Sequence, residues 1–451
     1  MNRKRLLVLA LVFLPLLANA AETITLTLDD AVRLALDNSI NLKKSAIDLA
    51  EAGYSASKLW SEIFPSFSLS TSFTFLPATP LVTDPGFQYR DNVLSYTISL
   101  GLSLSLNPSI YSSMKRIELA YRAQLLSYEN ASKQLEIQVI KRFLNLITMN
   151  ANISYMQGNL DLALQKMNSD RVARANGLLS ELAWLNSQLS AETARYNLLT
   201  AQNTYKNSLG EFLAILGIED GTNVILNGTV EIAQLNLDPE KLILVYLPKR
   251  PDIVVQHQTI ERLELNKNFT TNNSRSPTLN LSTQWRGGTP QPHTGGGLSA
   301  PFTDSLSGSL SLNIPIDSWI PGTKQNQNIR AVNAEVEKAR LELQNTETQA
   351  KNQIRLLVSN LNSRWESLEI ARLRVSIAQR TVDATAIGFR NGTVEFKELE
   401  DRRSDLSNAS QRLLEEELTY QSLLLDLAAA LNVEWRSLTG QLASGVSGSQ
   451  K

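Results

Sequence analysis

The stretch "VLSYTISLGLSLSLNP", Val93 to Pro108, decides the fold. Leu94, Tyr96, Ile98, Leu100, Leu102, Leu104 and Leu106 are apolar at every second position, and Ser95, Thr97, Ser99, Gly101, Ser103, Ser105 and Asn107 fill the gaps. Side chains on a strand point alternately to its two faces, so this segment has one apolar face and one wet face. Three other segments repeat the pattern. Phe67, Leu69, Phe73 and Phe75 alternate with Ser66, Ser68, Ser70, Ser72 and Thr74. Leu279, Leu281 and Trp285 alternate with Asn280, Ser282 and Gln284. Leu306, Leu310, Leu312 and Ile314 alternate with Ser305, Ser307, Ser309, Ser311 and Asn313. The Pro- and Gly-bearing segments Leu76–Asn92 and Arg286–Asp304 read as hairpin loops.

Long helical patterns follow each pair of strands. Leu135, Val139, Phe143, Leu146, Met149, Ile153, Met156, Leu160, Leu164 and Met167 step by three or four, a narrow coiled-coil seam. A helix from about Ser112 to Met167 would be on the order of 80 Å long. Trp184, Ala191, Leu198, Tyr205 and Phe212 keep a seven-residue beat, as do Leu399, Leu406, Leu413, Tyr420 and Leu427. Leu361, Trp365, Leu368, Val375 and Val382 extend a seam through another long stretch. Adding 215 to each member of the first heptad set gives the second, and the same shift carries Asn176-Gly177 onto Asn391-Gly392.

The pattern is that of a tandem duplication, each half reading short helices, β-hairpin, long helix, turn, long helix. The expected organisation is a signal peptide at 1–20 and a first repeat at 21–217, with its hairpin at about 66–106 and long helices at about 112–216. A linker at 218–238 leads to a second repeat at 239–432, with its hairpin at about 278–315 and long helices at about 325–431. A Ser/Gly/Gln-rich tail at 433–451 reads as largely disordered.

Composition narrows the medium. The 451 residues carry a net charge of -1, from 43 basic and 44 acidic side chains, which argues against a nucleic-acid partner. Charged residues make up 19% of the chain and the mean hydropathy is -0.15, which excludes a bundle of membrane helices. Asn2-Arg3-Lys4-Arg5, the apolar run Leu6 to Leu17 and Ala18-Asn19-Ala20 have the form of a secretory signal peptide. There is no Cys, so burial and strand pairing must hold the fold. After Ala20 no apolar run reaches the ~18 residues of a spanning helix.

The seam-type helices are mostly polar and offer no broad apolar face to cover the strands. A soluble β-sandwich with one solvated face is the competing arrangement. Lipid is the remaining dry medium, and lipid-exposed strands must close into a barrel. Four strands cannot close, since about eight is the practical minimum, so copies must share the barrel. The Ser/Thr/Asn/Gly faces would line its wet interior.

At this point the chain resembles the outer membrane efflux proteins, the TolC family, from Leu28 to about Leu431. "RANGLLSELAWLNSQ" (Arg174–Gln188) and "FRNGTVEFKELEDRR" (Phe389–Arg403) are similar to the family's tip motif: a Gly, a small or hydroxyl residue three on, a carboxylate six on. The first copy has Ser180 but Ala183 at the carboxylate's place, and the second has Glu398 but Glu395 at the hydroxyl's place. "NSINL" (Asn38–Leu42) and "KRPDI" (Lys249–Ile253) resemble the helix-opening repeats. The resemblance implies a mixed α and β membrane protein: a homotrimer with a twelve-stranded outer-membrane β-barrel, four strands per chain, continued by a long periplasmic α-helical barrel.

It further implies that the turn residues Gly177, Leu178, Leu179, Ser180, Gly392, Thr393 and Val394 dock a periplasmic adaptor. Glu398 and Asp401 match the family's tip carboxylates. Three residues apart, they share a helix face and in a trimer would form two acidic rings at the pore constriction, favouring cations. A solvated acidic face is the plainer reading, because Glu395, Glu400 and Asp405 lie nearby. Phe389 and Val394 stand where the family has an aromatic hydroxyl and an Arg that close the tip. No catalytic set is present: His257 and His293 are the only histidines, and no cofactor or metal site is expected. The expected function is a passive exit duct of a tripartite efflux or type I secretion system. Its partners are the adaptor, an inner-membrane pump and outer-membrane lipid. A trimeric coiled-coil adhesive protein anchored by a barrel, without transport, is the alternative.

Overall fold

The computed structural model describes residues 24–76, 79–83, 86–90, 93–219, 222–228, 232–288 and 302–434. The expected signal peptide, His293 and nearly all of the expected tail lie outside the described residues. Among the described residues, no helix is long and apolar enough to cross a membrane.

In chain order the elements are β1 (Ile24–Thr27), α1 (Leu28–Asn38), α2 (Ile40–Ser57), β2 (Ser66–Leu76), β3 (Thr79–Thr83), β4 (Gly86–Arg90) and β5 (Val93–Leu106). Then come α3 (Ser109–Ala175), α4 (Glu181–Leu216), β6 (Val224–Asn227), α5 (Pro239–Tyr246) and α6 (Pro251–Arg275). The chain continues through β7 (Thr278–Gly288), β8 (Thr303–Asn313), α7 (Lys324–Arg390) and α8 (Phe396–Leu431). Helices α3 and α7 have 67 residues each, and α4 and α8 have 36 each. Their corresponding ends keep the spacing of the sequence repeat: Glu181 and Phe396 lie 215 apart, as do Leu216 and Leu431. Two compact units result. One comprises Met1–Lys43, Ala131–Pro239 and Ile354–Lys451; the other comprises Lys44–Asn130 and Glu240–Gln353.

The second unit holds the four-stranded antiparallel sheet, ordered β2-β5-β7-β8. Its register aligns the alternation of all four strands. Leu69, Leu100, Trp285 and Leu306 form one cross-strand row, and Ser70, Ser99, Arg286 and Ser305 form the next. A one-residue step thus moves from an apolar row to a polar one. The apolar rows are bare: Leu69 and Leu306 are each 75% exposed, and Phe67, Phe73, Leu310 and Leu312 are exposed with them. Ser95 and Ser99 of the opposite face are buried. On the outer strands both faces are open, since Ser70 and Ser309 are exposed as well, so nothing among the described residues covers the apolar rows of β2 and β8. Serine pairs stitch the polar rows, Ser66 Oγ to Ser103 Oγ at 2.6 Å and Ser282 Oγ to Ser309 Oγ at 2.7 Å. The outer edges of β2 and β8 have no partner among the described residues.

One expectation needs correction, and one pairing is new. The segment Leu76–Asn92, read as a loop, contains a second short antiparallel hairpin of β3 with β4. These strands have five residues each and Pro80 within one of them, a strong loop signal in sequence. In the first unit β1 pairs in parallel with β6, a contact across the sequence that the four-residue strands do not announce.

The first unit is built on the expected seams. Val139, Phe143 and Leu146 of α3, Phe212 and Leu216 of α4, and Ala31 and Ala35 of α1 form one buried core. Its centre is the Phe143–Phe212 ring pair, 6.3 Å between centroids. Leu361 and Leu368 of α7 and Leu427 of α8 are buried as well. The "NSINL" segment has a structural role here. Asn38 Nδ2 donates to Leu216 O at 2.8 Å, satisfying a carbonyl at the end of α4. Gly217 turns the chain there at φ 72°, and a Cβ on it would meet Asn38 Cβ at 2.8 Å. In "KRPDI", of the second unit, Arg250 is buried and donates to Asp252 at 3.0 and 2.7 Å and to Gln353 at 2.9 Å.

Candidate functional site

Both helix–helix turns lie in the first unit and close in the same way. Past the end of α3, Gly177 adopts φ 72°; its N–H donates to Arg174 O at 2.9 Å, and the Leu178 N–H reaches Ala173 O at 2.9 Å. Past the end of α7, Gly392 adopts φ 73°; its N–H donates to Phe389 O at 3.0 Å, and the Thr393 N–H reaches Gly388 O at 2.9 Å. This left-handed C-cap is open to glycine without a Cβ penalty and satisfies the last carbonyls of each helix.

Three residues past each glycine is the N-cap of the next helix, which gives the motif's hydroxyl a local cause. Ser180 Oγ accepts from the Ala183 N–H at 3.2 Å, starting α4. Glu395 occupies the same place before α8 and makes no side-chain cap bond.

The two turns are braced differently. The Arg174 guanidinium stacks 4.2 Å from the Trp184 ring centroid, and its Nη1 lies 2.8 Å from Glu181. In the second turn Phe389 and Phe396 pack at 5.6 Å, and Val394 sits so close over Gly388 that a Cβ there would lie 2.6 Å from Val394 Cγ2. Phe389 and Val394 thus make apolar contacts within their own hairpin, Phe389 with Phe396 and Val394 over Gly388.

The exposed face of the turns is apolar in part. Leu178 is 80% exposed and Leu182 is exposed beside it, while Leu179 and Val394 are half-buried. Ser180, Thr393, Glu398 and Asp401 are exposed. Arg402 lies 3.7 Å from Glu398 and 3.4 Å from Asp405, and Asp401 makes no ion pair among the described residues.

Glu400 departs from the solvated acidic face expected of this stretch: it is 7% exposed. Neither carboxylate oxygen has a hydrogen-bond partner, and Lys166 Nζ of α3 is 3.7 Å from Oε2. Burial pushes its carboxyl above the usual 4.5; Lys166 opposes the rise, and Asp170 and Asp401 add to it. Lys166 adjoins the seam residue Met167 and Glu400 adjoins the seam residue Leu399. Opposite charges flanking a seam are the sequence signal for such a pair. Further polar contacts tie α3 to α8 and its C-cap, among them Lys133 to Asn432 at 2.7 Å, Lys141 to Asp426 at 2.5 Å and Gln411 to Asn152 at 2.7 Å. Among the described residues no cluster of His, Cys, Asp or Glu is placed to hold a metal ion.

Residues 31–218 and 247–433 match the outer membrane efflux protein family. The chain belongs to that family. It is therefore a TolC-family protein of the outer membrane, with its long helices on the periplasmic side. The Outer membrane protein TolC of Escherichia coli K12 is 21% identical over 412 residues, covering 86% of this chain and 79% of TolC. The fold is shared with the Campylobacter jejuni outer membrane channel CmeC at a TM-score of 0.72 and 15% identity, over 92% of this chain and 89% of CmeC. It is shared also with the open-state outer membrane channel MtrE of Neisseria gonorrhoeae at a TM-score of 0.69 and 15% identity, over 90% and 89%.

Proposed function

We propose that three copies of this chain close one twelve-stranded barrel and form a passive exit duct for efflux or type I secretion. One observation carries the proposal: four strands present a bare apolar face, with both sheet edges unpaired among the described residues. In hydrocarbon such edges must be closed, and three sets of four strands give an even-numbered barrel of ordinary size. The helices support a multimer independently. Apart from its buried seam, α4 exposes Leu182, Leu185, Leu189 and Tyr196, and α7 exposes Ile370, Leu373 and Ile377. These steps of three, four and seven are a second seam awaiting another helix.

On this reading the chain is a tandem duplication with the repeat boundaries given above, exported by its signal peptide. The 218–238 segment links the repeats. Leu178, Leu179, Ser180, Thr393 and Val394, held by Gly177 and Gly392, meet the hairpins of a periplasmic adaptor. An inner-membrane pump supplies the energy. Glu398 and Asp401 form stacked carboxylate rings at the constriction and favour cations in the closed state.

Planar-bilayer recording of the purified protein tests this. Wild type should give small, cation-preferring currents, and Glu398→Ala with Asp401→Ala should raise the conductance and erase the preference. Absence of current in both proteins would mean that the barrel is an anchor and not a duct.

A further inference from the structure

Polar contacts tie α3 to α8 and its C-cap from Lys133–Asn432 to Lys166–Glu400, and of these Lys166–Glu400 lies nearest the two turns. It joins the hairpin bearing Gly177 to the hairpin bearing Gly392. We propose that the Lys166–Glu400 contact is a proton-operated latch: it holds α3 and α8 together when Glu400 is protonated and loosens when Glu400 ionises.

The chemistry of the contact sets it apart from Asn152–Gln411 and Lys141–Asp426. Asn152 with Gln411 is neutral, and Lys141 and Asp426 both keep substantial access to water. Glu400 has its two oxygens out of water, and the donor facing them, Lys166 Nζ, stands off at 3.7 Å, beyond a full hydrogen bond. An ionised carboxylate in that setting costs free energy that the acid form does not. One cation faces it, and that cation is shared: Lys166 Nζ is 3.5 Å from Asp170 and 3.7 Å from Glu400. The charged groups acting on Glu400 among the described residues are Lys166 and Asp170 of α3 and Asp401 of its own helix. Two of those three repel the anion.

The direction of the switch follows. Burial, the largest influence, raises the Glu400 carboxyl above its ordinary 4.5. The packed arrangement therefore binds the proton more tightly than one in which Glu400 is hydrated. Packing of α8 on α3 at this contact is strongest below the ordinary carboxylate value and weakens as pH rises through the raised one. Coupling to conduction rests on the duct reading, but the latch itself does not.

Spin labels read the latch without requiring a current. Ser169→Cys and Ser404→Cys flank the contact on exposed positions of α3 and α8, and the full-length chain has no other cysteine to label. Distance distributions in the assembled protein between about pH 4 and 8 should show the short-distance population growing on acidification. One linked proton allows up to about a tenfold change in ratio per pH unit. Glu400→Gln should stay at the short distance with no transition. Lys166→Met should move the transition to higher pH, because the cation that opposes protonation is gone. Glu398→Gln with Asp401→Asn should keep it, which separates the latch from the rings. A wild-type distance that ignores pH, or a Glu400→Gln protein that retains the transition, overturns the proposal. Should Glu400→Gln fail to assemble, the direction of the Lys166→Met shift decides alone. Bilayer current from the same samples reports on the duct: no current alongside an intact distance transition would refute the duct and uphold the latch.

Discussion

Leu310→Arg, compared with Ser311→Arg, isolates the medium on each face of the sheet. Leu310 lies on β8 in register with Leu281 and Leu104, and it is exposed in the chain. Ser311 is its immediate neighbour, in register with Asn280 and Ser105 on the other face. If the apolar row meets hydrocarbon, an Arg there costs about 2–4 kcal/mol per chain near the bilayer midplane. If that row meets water, the same change is a surface substitution worth about 0.5 kcal/mol or less. At 1.4 kcal/mol per factor of ten, the lipid reading predicts a loss of about 30-fold to several hundred-fold in the folding equilibrium. Ser311→Arg, facing the wet interior, should stay within about 0.5 kcal/mol of wild type. Urea titration of folding into phospholipid vesicles, followed by tryptophan fluorescence and by heat-dependent gel mobility, measures both. Equal penalties for the two substitutions, or a larger one for Ser311→Arg, would refute the assignment of faces.

Other outcomes follow from the turns and the Arg250–Asp252 ion pair. Gly392→Ala should lower the stability of its hairpin by about 1 kcal/mol in thermal melts, and Gly392→Asn by less. At that position φ is 73° and no atom lies within 4 Å of an added Cβ, so the whole cost is backbone conformation. Asp252 is pushed up by burial, but the Arg250 hydrogen bonds and charge outweigh this and its pKa is lowered from 3.8. Its contribution to stability is therefore present above that value and lost as pH falls through the lowered one. Asp252→Asn should reduce the melting temperature at neutral pH, and the difference should fade as pH falls through the lowered value. A constant difference across pH would show that packing, and not charge, is what Asp252 supplies.

The sequence made the strands and seams legible because each obeys one dominant period. Alternation along Val93–Leu106 survives in the structure as a register in which Leu100 meets Leu69 and Trp285. The seam residues Val139, Phe143 and Leu146 are buried as their spacing requires. The glycines at 177 and 392 are legible for the same reason, since each ends a long apolar repeat at a position that needs a left-handed backbone. Short elements were not legible. Strands β1 and β6 have four residues each, too few to display a period, and their pairing depends on a contact distant in sequence. Pro80 concealed β3 among turn signals. Within the candidate site, Glu400 could not be told from Glu398 and Asp401 by composition. Its burial depends on where Lys166 of α3 passes, which residue spacing along α8 alone does not encode.

Closure of the sheet between copies is the claim on which the rest depends, and disulfide mapping tests it most directly. The chain has no cysteine, so one can be placed along β2 at Ser66, Ser68, Ser70, Ser72 or Thr74 and one along β8 at Ser305, Ser307, Ser309 or Ser311. Oxidation in outer membranes, followed by denaturing gels without reductant, should give a covalent species three chains in size for at least one register. Monomers alone in every combination, from protein shown to be folded, would contradict the account.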